Sequence, residues 1–114
     1  MRRFRFSLRW MLVAVATVAL LLGMESMRRR RKSFSELATA YASSRVAWEA
    51  EAESDAAAAR DFQHFGFRQG AETIAQLEEL HRAQARYCDR LATKYRSAAR
   101  YPWLPVVPDP PEPK

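Results

Sequence analysis

Three patterns of apolar and polar positions follow one another along this chain. The first is an uninterrupted apolar run from Trp10 to Met24, WMLVAVATVALLLGM, with arginines on both sides. Apolar residues on every face predict a helix suited to hydrocarbon. The second pattern is amphipathic. Phe34, Leu37, Tyr41 and Trp48 recur at spacings of 3, 4 and 7, which marks one face of a helix. After a break at DFQHFGFRQGAE, a second apolar face runs through Ile74, Leu77, Leu80, Tyr87, Cys88, Leu91, Tyr95 and Ala98. The third pattern has no period. YPWLPVVPDPPEPK holds all six prolines and predicts an extended polyproline II segment.

Element boundaries follow from the breakers. Residues 28–65 contain no Gly or Pro, and their abundant Ala and Glu favour helix. Ser33 with Glu36 offers a capping box that would start a new helix. Continuity with the apolar run is the favoured reading, because no breaker lies between Gly23 and Gly66. Gly66 and Gly70 allow positive φ and end helices, with Phe62, Phe65 and Phe67 packing across the bend. Pro102 ends the second helix, which starts at Ala71 in this reading.

Folding the chain at these glycines makes an antiparallel hairpin. Trp48 then meets Gln84 and Tyr87, Tyr41 meets Leu91, Leu37 meets Tyr95, and Phe34 approaches Ala98 and Trp103. Glu49 and Glu53 face Arg82 and Arg86, part of a basic row that continues through Arg90 and Lys94. The expected fold class is all-α, with an N-terminal transmembrane helix continuous with the first helix, a helical hairpin and a Pro-rich extended tail. Its divisions are residues 1–32, 33–101 and 102–114. The expected packing residues are Phe34, Leu37, Tyr41, Trp48, Leu77, Tyr87, Leu91, Tyr95, Trp103 and Leu104. A two-helix hairpin has little core, so self-association or a helical protein partner is expected.

Charge sharpens the membrane reading. Of 19 basic and 13 acidic residues, nine basic ones (Arg2, Arg3, Arg5, Arg9, Arg28, Arg29, Arg30, Arg31 and Lys32) and only Glu25 among the acids fall in residues 1–32. The positive excess therefore brackets the apolar run, and the remainder is slightly acidic. A nucleic-acid-binding domain would keep that excess on its folded part. Here it matches anionic head groups, so the expected partner is the lipid bilayer and nucleic acid is not. The run itself is short against the roughly 20 residues of a spanning helix. Flanking arginines that snorkel, and the stretch from Ser7 to Met27, supply the missing length. Glu25 lies four residues before Arg29, a favourable pairing distance.

A cleaved signal would share the basic start and apolar centre. Leu22–Ser26 offers only poor cleavage options, and five consecutive basic residues follow. Arg5 breaks the pattern expected after a twin-arginine pair. An uncleaved single-pass anchor in the cell membrane is thus the expectation, ahead of a cleaved signal or a surface-lying segment. Four arginines precede the run and five basic residues follow it, close to a tie under the positive-inside rule. The denser C-terminal cluster tips the C-terminal region toward the cytoplasm.

Candidate chemistry is sparse. His64, His81 and Cys88 are the only soft metal ligands, fewer than the four of a closed zinc site. Haem-attachment and phosphate-loop patterns are missing. The glutamates read as a solvated helix face and Cys88 as a small core residue. No catalytic residue, metal, cofactor or small-molecule substrate is expected. The tail has two readings: a docking peptide built on Trp103, Leu104 and the Pro102–Pro105 spacing, or a cap over the open end of the hairpin. The cap is favoured, with Trp103 shielded near Phe34 and Leu37 and with residues from Pro108 onward mobile.

FSLRWMLVAVATVALLLG together with KYRSAARYPWLPVVPDPPEP resembles a family of short bacterial single-span membrane proteins of uncharacterised function. Its members pair an Arg-rich N-terminal span with a helical middle and a Pro-Trp-Leu-Pro tail. The likeness covers both ends, roughly a third of the chain. Two positions depart from it: Trp10, where the family tends to have Thr, and Cys88, where it often has His. The resemblance implies location and architecture and supplies no activity. The expected role is a membrane-anchored interaction or scaffold module. The alternative is electrostatic binding of anionic lipid or nucleic acid through Arg28–Lys32 and the Arg82–Lys94 row.

Overall fold

The computed structural model describes residues 2–114, with side chains described from Ser7 onward. It contains two helices, α1 (Arg2–His64) and α2 (Arg68–Arg100), packed antiparallel as a hairpin. The molecule is a rod of 97 × 19 × 13 Å. Helix α1 is twice as long as its partner, so its N-terminal part stands alone. That part is long and apolar enough to cross a membrane, and none of its most apolar window is buried inside the protein.

The helix runs without interruption through Arg28–Lys32. Local contacts engage two of the five cations. Arg29 donates from Nε to Glu25 at 3.1 Å, the spacing read from the sequence, and the Arg30 guanidinium lies 5.5 Å from the Phe34 ring centre. Ser33 is an ordinary helical residue, so the alternative of a new helix starting there is not realised.

The bend is a Schellman motif. Gly66 is left-handed, with φ of 81°. Its N–H bonds the Gln63 carbonyl at 3.1 Å, and the Phe67 N–H bonds the Phe62 carbonyl at 2.9 Å. Phe62 and Phe67 pack edge to face at 6.1 Å, the apolar contact that accompanies this motif. Gly70 has a different role from the one expected. It lies inside α2, which starts at Arg68 rather than Ala71. A Cβ there would sit 2.8 Å from Cδ1 of Phe62, so glycine makes room for that ring.

Alanines dominate the seam between the helices. Ala38, Ala52 and Ala59 of α1 and Ala71, Ala85 and Ala92 of α2 are all buried. With Tyr41, Arg45, Trp48 and Asp55 on α1, and Ile74, Glu78, His81, Cys88 and Tyr95 on α2, they fall at steps of three and four residues. This is the 3.5-residue period of a coiled coil. Two expected packing residues fall outside it, because Leu37 and Leu77 are 38% and 44% exposed. The residue facing α2 beside Leu37 is Ala38. Small side chains bring the backbones close, and that leaves the leucines on the flanks. Cys88 of the seam and its neighbours Tyr87 and Leu91 form the buried cluster against which Tyr41, Trp48 and Tyr95 pack.

Candidate functional site

The polar ends of α2 side chains on one edge of the seam carry most of the hydrogen bonds to the tail. Tyr87, Leu91, Lys94 and Tyr95 project along one flank of the hairpin. The tail folds back over them, antiparallel to α2. Gln84 donates to the Pro113 carbonyl at 3.1 Å, and the Tyr87 hydroxyl donates to the Pro110 carbonyl at 3.0 Å. The Tyr95 hydroxyl lies 2.9 Å from both carboxylate oxygens of Asp109, which also pairs with Lys94. The expectation of a mobile tail beyond Pro108 is therefore corrected. Proline lacks an N–H donor but keeps its carbonyl, and α2 supplies donors to two of these carbonyls.

Behind this clasp stands an aromatic column. Phe34 and Tyr41 stack on either side of Tyr95, at 5.9 and 5.7 Å. Burial comes first in raising the Tyr95 phenol, and Asp109 adds to it, so that its pKa is pushed up to about 12. Burial also raises Tyr87. Asp109 is lowered, chiefly by the hydrogen bond from Lys94. The Cys88 thiol is raised by its burial.

A second flank holds the charges that join the helices. Arg45 occupies a seam position and donates to Asp89 at 2.7 Å, with Glu49 3.5 Å from its Nε. Asp89 and then Glu49 raise its pKa. His81 lies 2.5 Å from Asp55 and tilts against the Trp48 ring at 5.3 Å. Glu49, Glu53, Arg82 and Arg86 line one open groove. Among the described residues, however, the ion pair of Arg82 is with Glu78 of its own helix, at 2.6 Å. The cross-helix pairing expected of Glu49 and Glu53 is made by Arg45 and Asp89 instead.

The remaining expected residues divide by position. Arg9 and Arg28–Lys32 are exposed, and the side chains of Arg2, Arg3 and Arg5 lie outside the described residues. Phe34 and Trp48 are half-buried, as are Tyr41 and Tyr95, while Tyr87 and Leu91 are buried. Trp103 and Leu104 are 58% and 51% exposed, so the shielded cap of the sequence reading is corrected. Pro102 is the residue enclosed at that end. Sequence reasoning missed Asp109, and it placed Gln84 against Trp48 without its bond to the tail. The signal available was an acid set among prolines, opposite the donor row of α2.

No family model matches the chain, and neither curated proteins nor solved structures show one similar to it. Among the described residues, no group of three or more His, Cys, Asp and Glu is placed to hold a metal ion. The grooves on the surface are open and shallow. What the arrangement offers is a stiff, clasped hairpin joined to an apolar helix.

Proposed function

We propose that this protein is a single-pass, membrane-anchored interaction or scaffold module of the cell membrane, with its hairpin on the cytoplasmic side. The observation that carries the reading is the continuity of α1 from the exposed apolar segment into the hairpin. At about 1.5 Å per residue, the stretch from Arg28 to His64 holds the bend roughly 55 Å from the basic cluster. Phe65 and Phe67 are 72% and 63% exposed at that tip. An exposed aromatic pair at the end of a rigid arm is a surface for a second copy or a helical protein partner.

The electrostatic alternative keeps one of its two clusters. Arg28–Lys32 are exposed and suit anionic head groups. In the α2 row Arg82 is neutralised by Glu78 and Lys94 by Asp109, which leaves Arg86 and Arg90, both exposed, as its other members.

Alkaline carbonate extraction combined with photo-crosslinking in living cells tests the proposal. The full chain should stay in the membrane pellet. A photoreactive residue replacing Phe65 should give discrete adducts, whereas one replacing Glu51, on the outer face of the arm, should not. Release into the carbonate supernatant defeats the anchor. Retention without adducts from Phe65 defeats the interaction surface.

A further inference from the structure

The YPWLP turn lies beside the wrong part of α1 for a cap. Trp103 and Pro102 share a groove of about 590 Å³ with Leu20, Gly23, Met24, Met27, Arg28 and Arg31. Leu20 to Met24 are the last residues of the apolar run. Helix α2 ends opposite Ser35 and Ala38, and the turn that follows it carries Pro102 and Trp103 to the basic cluster and the end of the span. Pro102 is enclosed there, and the neighbouring side chains swing outward: Tyr101 is 42% exposed, Trp103 58% and Leu104 51%. Three large exposed side chains within four residues, around one buried proline, form an apolar patch of the kind that marks an interaction site.

We infer that Tyr101, Trp103 and Leu104 are a second membrane contact, a foot that inserts into the interfacial layer of the same bilayer the N-terminal helix spans. The inference rests on the spanning reading above. Three features select lipid as the occupant. Trp103 shares its groove with the last apolar residues of the span, Leu20 to Met24, so its ring lies at the depth of the last hydrophobic turns. Its rings are Tyr and Trp, stacked edge to face at 5.7 Å, and these side chains favour the boundary between head groups and hydrocarbon. Arg28 and Arg31 border the same groove, where guanidinium groups meet lipid phosphates. The turn also satisfies part of its backbone internally, since the Leu104 N–H bonds the Tyr101 carbonyl at 3.1 Å. That lowers the cost of moving it out of water. Trp10 marks one end of the apolar run in the sequence, and Trp103, brought back by the hairpin, marks the other.

Depth-dependent fluorescence quenching of the full chain in nanodiscs tests the foot. One variant keeps only Trp103 (Trp10→Phe, Trp48→Phe), and a second keeps only Trp10 (Trp48→Phe, Trp103→Phe). Unreactive Cys88 in each confirms that the hairpin is intact. Trp103 should lose most of its emission to lipids brominated near the head group and little to aqueous iodide. Quenching by iodide alone, or protection from both quenchers, overturns the foot; the latter would mean that protein covers the ring. Lipid quenching of Trp10 without that of Trp103 leaves the span standing and removes the foot. Lipid quenching of neither removes both.

Discussion

Replacing Ala52 with leucine tests the alanine seam directly. Ala52 is 3% exposed and Ala85, across the same groove, is 5% exposed. The three added carbons meet the facing helix on one side and the charged groove of Glu49, Glu53, Arg82 and Arg86 on the other, because close backbone approach is what the alanines permit. Overpacking of this kind costs about 1–3 kcal/mol. For a region the size of this hairpin with its tail, each kcal/mol moves the melting temperature by about 4–8 °C, so a fall of roughly 5–20 °C is expected. Ala50→Leu is the control. Ala50 is exposed on the same helix, and leucine nearly matches alanine in helix propensity. The assay is alkylation of Cys88 in the full chain, in nanodiscs, as temperature rises. The thiol is buried and its pKa raised, so it reacts only when the helices part. Equal midpoints for Ala52→Leu and Ala50→Leu would refute the seam.

Gly66→Ala should destabilise the hairpin by about 1–2 kcal/mol, the cost of a left-handed conformation for a residue with a Cβ. Gly70→Ala should cost less, because the ring it meets belongs to half-exposed Phe62; Cys88 alkylation ranks the two, and the reverse order would contradict the turn described here. The clasp should respond to acid. Asp109 is lowered in the folded chain, so its contribution is complete above the ordinary carboxylate value of about 3.9 and disappears as pH falls through its depressed folded value. A spin label at position 114 should move away from α2 over that acid range, and Asp109→Asn should abolish the transition. Ultraviolet titration of Tyr95 should place its ionisation near 12. Asp109→Asn should lower that value while leaving it above the ordinary figure of about 10, since burial remains.

Much of the architecture was legible in residues that act locally. The apolar run, the breaker-free stretch after it, the glycines of the bend and Pro102 set the two helices within a few positions. The seam was harder to read. A search for large apolar residues at helical spacing picks up Leu37 and Leu77, but steric closeness selected Ala38 and Ala85, which look in sequence like generic helix formers. Gly66 and Gly70 look alike as letters; the difference between a left-handed turn and room for Phe62 exists only after packing. The clasp depends on pairs such as Tyr87 with Pro110 and Gln84 with Pro113. These join segments more than twenty residues apart, and composition alone does not indicate which tail carbonyl meets which donor.

Under the proposed spanning arrangement, the unbroken course of α1 makes the molecule a lever. A single-span helix tilts when bilayer thickness and span length disagree, by about 20° on average. With an arm of roughly 55 Å at about 1.5 Å per residue, that angle sweeps the phenylalanine tip sideways through roughly 19 Å. Small changes in lipid thickness or lateral tension at the pivot thus become displacements larger than a helix diameter at the far end. In an assembly of several such chains, the spacing between tips would report the physical state of the membrane.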